Sequence, residues 1–240
     1  VAARCLAKPL ERLPGFRRRI RITPGTGSVL CEVEDDFHCM GVRIRHADGV
    51  VTGVEPDLRR APWTTCPGAE AQLQATFAGL ALADFANRGE KRANCTHLYD
   101  LALLAAAHAG DQLPLVYDIL VSDPVDGYRR AEIRRDGATL LGWTELGFEI
   151  VDPPALAGRS LMALRTWIDL IDPTLHEPAR LLQWANMIAN GRIIPLDQQS
   201  DATQMPPNCY TFQPERARVA KRVGLIRDFS RDGEQPLELR

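Results

Sequence analysis

No stretch of this 240-residue chain is apolar for long enough to span a bilayer, and Val1 to Arg21 ends in a cationic cluster instead of a signal-peptide core. A cytoplasmic protein with no membrane partner is expected. Neither sign of charge dominates. The 29 Lys and Arg residues against 31 Asp and Glu leave a formal charge of −2, which gives no electrostatic reason to expect a nucleic-acid partner. No C-x-x-C pair occurs among Cys5, Cys31, Cys39, Cys66, Cys95 and Cys209, and a chain of this size needs no covalent staples, so reduced thiols are expected. An initiator methionine is missing as well, which points to a start inside a longer gene product. Walker loop, dinucleotide fingerprint, H-E-x-x-H and G-x-S-x-G are all absent. Cofactor-independent chemistry is therefore favoured; no cofactor and no metal are expected.

What is present is an ordinary globular composition, 45% hydrophobic and 25% charged. Alternation predicts short strands at Arg17 to Ile22, Val29 to Glu34, His38 to Arg45 and Val50 to Val54, with a turn at Ala47-Asp48-Gly49. Ile20 and Ile22 share one face while Arg19 and Arg21 share the other, and His38 has the parity of Met40, Val42 and Ile44. Two amphipathic helices are predicted next, Ala69 to Leu80 with Leu73 and Phe77 on its stripe, and one capped by Asn94 with Leu98, Leu101, Leu104 and Ala105. Period two returns at Leu115 to Val121, Tyr128 to Arg134 and Thr139 to Ile150, separated by Asp126-Gly127 and Asp136-Gly137. The tail predicts helices at Leu161 to Ile171, Pro178 to Asn190 and Pro214 to Val223. The expected class is α+β, antiparallel strand regions alternating with packed helices. One domain over 1–240 is expected, with two subdomains meeting near 110–113 as the alternative.

Cys95-Thr96-His97-Leu98 brings a thiol and an imidazole together at a helix start. With Cys95 as the first helical residue, the unsatisfied N–H groups and the helix dipole would lower its thiol pKa, and His97 would stand near the same opening. Two residues apart on a regular helix, the pair diverges by about 200°, so one of the two, not both, is expected to face a given pocket. His38 lies beside Asp35-Asp36, where a carboxylate would fix its tautomer and raise its basicity; the alternative is a hairpin turn followed by a partly buried strand residue. Asp118 interrupts an apolar run, so it should pair with an arginine of the Tyr128 to Arg135 strand or line a cavity. On that strand Tyr128 and Arg130 share one face and Arg129 the other. A Tyr–Arg pair there would suit a phenolate or carboxylate, the alternative being a solvated face of ion pairs. The segment Asn208 to Gln213 carries Tyr210 and Phe212 and reads either as a lid over a ligand or as a closing strand. Trp167 and Trp184 are expected in the core.

Phe37-His38-Cys39-Met40, Cys66 with the later Leu80-Ala81-Leu82, and above all Cys95-Thr96-His97-Leu98 running into an apolar helix resemble family 2889 of the bacterial domains of unknown function. The resemblance covers the first half of the chain; beyond Ala102, Leu103 to His108 depart from the family's pattern. It implies a companion of bacterial aromatic and phenylpropanoid catabolism, and hence a small aromatic, lignin-derived partner.

Together these readings predict a cofactor-independent lyase that cleaves a C–C bond in a small phenolic compound, losing formaldehyde or carbon dioxide. His97 or His38 would act as base, Tyr128 or Tyr210 as proton relay, Asp118 as a further catalytic candidate, and Arg129, Arg130, Cys95 and Phe212 as substrate contacts. The alternative is a non-catalytic carrier of a metal, a cluster or an aromatic ligand on Cys66, Cys95 and His97. Either a monomer or a homo-oligomer fits the sequence.

Overall fold

In the computed structural model, which describes residues 8–223 and 226–238, eight antiparallel strands form one sheet in the order β4-β3-β2-β1-β5-β6-β7-β8. The strands are β1 (Gly15–Gly25), β2 (Ser28–Asp35), β3 (Cys39–Ala47), β4 (Val50–Arg60), β5 (Leu115–Ser122), β6 (Tyr128–Arg135), β7 (Ala138–Leu146) and β8 (Glu149–Asp152). The fold is α+β. Cys5 lies outside the described residues. The five described cysteines are free, and no described helix is long and apolar enough to cross a membrane.

Turn chemistry places the hairpins. Asp48-Gly49, Asp126-Gly127 and Asp136-Gly137 all take positive φ at both residues, the backbone twist that two-residue hairpins require and that Gly and Asp tolerate best. The two meanders then meet because β1 pairs on one side with β2 and on the other with β5, from Gly15 opposite Ser122 to Ile22 opposite Leu115. Where alternation predicts a single strand from Thr139 to Ile150, Gly147 at positive φ turns the chain between β7 and β8.

One face of the sheet carries Phe16, Ile20, Ile22, Val33, Met40, Val42, Ile44, Ile119, Val121 and Ile133, all buried. Helices α1 (Ala69–Phe77) and α2 (Thr96–Ala107) cover its β2–β4 half, and α4 (His176–Ala189) covers β5–β7. Both α2 and α4 also touch β1, so their seam runs over the centre of the sheet. The remaining helices are short: α3 (Arg165–Ile168) and α5 (Pro214–Ala217) replace the longer ones that periodicity suggests over Leu161 to Ile171 and Pro214 to Val223. Ion pairs such as Arg19–Asp118, Arg21–Glu32 and Arg60–Glu34 occupy the opposite face. Residues of the C-terminal segment join them: Arg227 reaches Glu34, and the Leu237 amide donates to the same carboxylate.

Candidate active site

Four polar residues cluster together on the core side of the sheet, where apolar ones are the rule. Arg18 has the parity of Phe16, Ile20 and Ile22 and lies opposite Asp35 in the β1–β2 register. Both side chains are wholly enclosed, and Arg18 Nε donates to Asp35 Oδ2 at 2.9 Å while Nη2 closes a second bond to the same oxygen. Asp35 Oδ1 also accepts from the amides of Phe37 and His38, each at 2.8 Å, which fixes the β2–β3 turn around it. Burial alone would raise the Asp35 carboxyl; Arg18, then His38, outweigh it and hold the group well below the usual carboxylate range.

That turn delivers His38. Its Nδ1 lies 3.0 Å from Asp35 Oδ1, and its ring stacks on His97 with centroids 3.9 Å apart. His97 comes from the first turn of α2, and its Nε2 is 3.2 Å from Arg18 Nη2. Trp184 of α4 closes the group, 4.7 Å from the His97 ring and with the Arg18 guanidinium carbon 4.7 Å from its own centroid. Arg18 Nη1 has no hydrogen-bond partner among the described residues, so the faces of Trp184 and Phe16 are what this side of the cation meets. Burial first, then the neighbouring His38 and Arg18, push the His97 pKa well below its ordinary value, and the imidazole is neutral at neutral pH.

Above this floor opens a cavity of about 600 Å³. His38, His97 and Trp184 line it together with Lys91 and Arg92, and Met40, Trp63, Ile188, Tyr210 and Phe212 give it mostly apolar walls. Trp63 and Phe212 meet edge to face at 5.8 Å. The segment carrying Tyr210 is tied down, its amide donating to Asn94 O at 2.8 Å and Arg216 lying over the Tyr210 ring at 3.9 Å. Gly68 leaves room for that ring: a Cβ there would stand 2.6 Å from the Tyr210 hydroxyl. Such a space, largely apolar with a few polar side chains, fits a flat, largely apolar ligand.

Cys95 lines the same cavity. It is the N-cap of α2, not its first helical residue, and its extended backbone lets both Cys95 and His97 face the space that a regular helix would have split between them. Asn94, expected as the cap, is buried instead, bonded to Thr76 and to Glu90 O. The helix end does not activate the thiol: burial pushes Cys95 up to about 12. Cys66 and Cys209, also on the cavity wall, are raised by burial too, Cys209 to about 11.

Of the residues singled out in the sequence, His97, His38, Tyr210, Cys95 and Phe212 therefore converge on one cavity. The others lie elsewhere. Asp118 pairs with Arg19 of β1 at 2.6 Å, not with an arginine of β6, and lines a second cavity of about 300 Å³. Arg129 is buried against Glu145 at 3.3 Å and donates to Asn190 Oδ1 at 2.7 Å, which fastens α4 to the sheet. Arg130 donates to Lys8 O, and Tyr128 pairs with Leu146 at the β6–β7 end of the sheet. Alternation also groups Arg18 with the core face, although the strand pattern draws attention to its neighbours Arg19 and Arg21. Trp184, expected as core, is the floor's aromatic wall; its helical spacing with Leu181 is the same for either role.

Asp35, His38 and His97 offer ligand atoms within 4.8 Å of one another, close enough for a metal ion. Two of their atoms already face Arg18, whose guanidinium bridges Asp35 Oδ2 and His97 Nε2, so a dication between those two would meet a fixed positive charge. Cys66, Cys95 and Cys209 do not form a further group of converging ligand atoms among the described residues. No family model matches the chain, and no curated protein matches it in sequence, so the cavity's own geometry carries the functional argument.

Proposed function

We propose that this cavity is the active site of a cofactor-independent carbon–carbon lyase that removes a one-carbon fragment, formaldehyde or carbon dioxide, from a small phenolic compound. The observation that carries the reading is the pair of stacked histidines, one of them held neutral by burial, on a buried Arg–Asp pair at the floor of an aromatic-walled cavity. A neutral imidazole is suited to moving a proton to or from a substrate oxygen. Trp63, Phe212 and Tyr210 suit a flat ring, which stacks and packs at little entropic cost.

In the proposed reaction a histidine of the pair takes the phenolic proton, and Tyr210 is the relay within reach of the cavity. In a substrate with a side-chain double bond, a proton delivered through Tyr210 to the carbon bearing the one-carbon group converts the phenolate to a para-quinone methide. The bond to the carboxylate, or to a hydroxymethyl group whose O–H proton passes to a histidine, then breaks, its electron pair regenerates the phenolate, and carbon dioxide or formaldehyde leaves. The resemblance around Cys95 to Leu98 supports the assignment to bacterial aromatic, lignin-derived catabolism, and the free cysteines support a reducing, cytoplasmic setting.

Incubation with a panel of hydroxycinnamates and phenolic dimers, with product masses and released formaldehyde or carbon dioxide measured, tests the reading. One equivalent of fragment per substrate consumed is expected. Tight binding across the panel without turnover would make the protein a carrier of aromatic ligands. Stoichiometric iron or zinc in freshly purified protein, lost together with activity on chelation, would replace the metal-free lyase with a metal-dependent one.

A further inference from the structure

We propose that Arg18 fixes the tautomer of His97 and so divides the work of the histidine pair: His97 offers Nδ1–H as a neutral hydrogen-bond donor to an ionised phenol oxygen, and His38 offers Nε2 as the proton acceptor. The substrate half of this inference rests on the reading of the cavity as a site for phenolic compounds; the tautomer half does not.

The argument is one of hydrogen-bond direction. A guanidinium has five N–H donors and no acceptor, so the 3.2 Å contact between Arg18 Nη2 and His97 Nε2 requires Nε2 to accept. The single proton of the neutral ring then resides on Nδ1. A proton on Nε2 would set N–H against the Arg18 N–H with no acceptor between them, and the doubly protonated ring would put two cations in contact inside the protein. At His38 the logic reverses. Ionised Asp35 only accepts, so His38 Nδ1, 3.0 Å from Oδ1, carries a proton, and in the neutral ring the lone pair is then on Nε2.

Neither His97 Nδ1 nor His38 Nε2 has a partner among the described residues, and both rings line the cavity. A donor and an acceptor held by rings 3.9 Å apart complement a phenol. Its O–H proton passes to His38 Nε2, the bonding pair stays on oxygen, the new imidazolium is balanced by Asp35, and the phenolate accepts from His97 Nδ1–H. Arg18 never touches the substrate; it is a positioning residue that acts through His97.

The decisive measurement is the tautomer itself, read from ¹⁵N chemical shifts of histidine-labelled protein without ligand. His97 is expected as the Nδ1–H form, unchanged between about pH 6 and 8. An Nε2–H signal for His97, or its titration in that window, overturns the assignment. For the substrate half, 4-nitrophenol is compared with 4-nitroanisole, which keeps the ring and loses the ionisable oxygen. The phenol is expected to bind as its coloured phenolate, about 10–100-fold tighter than the ether. His97→Phe should abolish that preference while the ether still binds. Equal affinity of wild type for the two probes overturns the donor role. An Nδ1–H tautomer with neither probe bound upholds the Arg18 assignment and overturns the phenolic reading of the cavity. Arg18→Lys, which keeps the charge but not the planar fork, should mix the His97 tautomers; a pure Nδ1–H form in that variant would show that Arg18 does not set it.

Discussion

Replacing Arg18 by Met removes a fully enclosed cation while leaving its partner, Asp35, equally enclosed. The variant loses two bonds to Asp35 Oδ2 and the contact to His97, whereas Oδ1 keeps the amides of Phe37 and His38 and the His38 ring. Stranding one member of a buried pair costs about 3–5 kcal/mol. The pH dependence has a definite sign. In the wild type the folded pKa of Asp35 is depressed, so its contribution is present above the unfolded value near 3.9 and is lost as pH falls through the folded pKa. Without Arg18, burial becomes the leading influence and lifts the folded pKa above the unfolded one. Stability of the variant then falls as pH rises through the interval between the two. The deficit against wild type is therefore largest at pH 7–8 and shrinks towards pH 4. Urea unfolding of wild type, Arg18→Met and Arg18→Met/Asp35→Asn at about pH 4.5 and 8 measures this. The double variant, with no buried charge left, should recover roughly half or more of the loss at pH 8. A deficit under about 1 kcal/mol at pH 8, or a double variant no better than the single one, would refute the reasoning.

On a confirmed substrate, His38→Gln and His97→Gln should each lower kcat by about 10²–10⁴ with the fold retained by circular dichroism; full activity in both would end the assignment of the base. Gly68→Ala should shift the Tyr210 ring and weaken binding of aromatic probes at least about tenfold, and Tyr210→Leu in that background should relieve the clash; unchanged affinity in Gly68→Ala would show that this wall is irrelevant to ligands. His108, bonded to Glu177 and Asp111 and raised to about 9, contributes stability that is complete below its unfolded pKa and fades as pH rises through 9. His108→Gln should therefore cost about 1 kcal/mol at pH 6, discounted for partial exposure, and almost nothing at pH 10, by thermal unfolding. A cost that does not change with pH would contradict that pairing.

The site was partly readable because strand parity and helix starts are local properties. His38 shares the parity of the core-facing Met40 and Val42, and the Cys95 to Leu98 helix start was visible as a thiol and an imidazole beside an apolar stripe. Arg18 obeys the same parity rule through Ile20 and Ile22, but an arginine on a core face is expected only when a partner is known, and Asp35 is 17 residues away on another strand. Cys95 illustrates a different limit. Whether a residue caps a helix or begins it shifts by one position, and that shift decides if two side chains diverge or share a cavity.

Composition, alternation and turn chemistry determined, without any structure, that this chain builds antiparallel strands covered by amphipathic helices, because side-chain period and Asp-Gly turns act over a few residues. The tertiary structure alone decided the rest. Pairing of β1 with β5 merges two meanders into one sheet, the α2–α4 seam lays His97 and Trp184 over Arg18, and burial pushes Cys95 up while it holds His97 neutral. Those outcomes depend on contacts between residues far apart in the chain and on the water they exclude, and neither has a local signature.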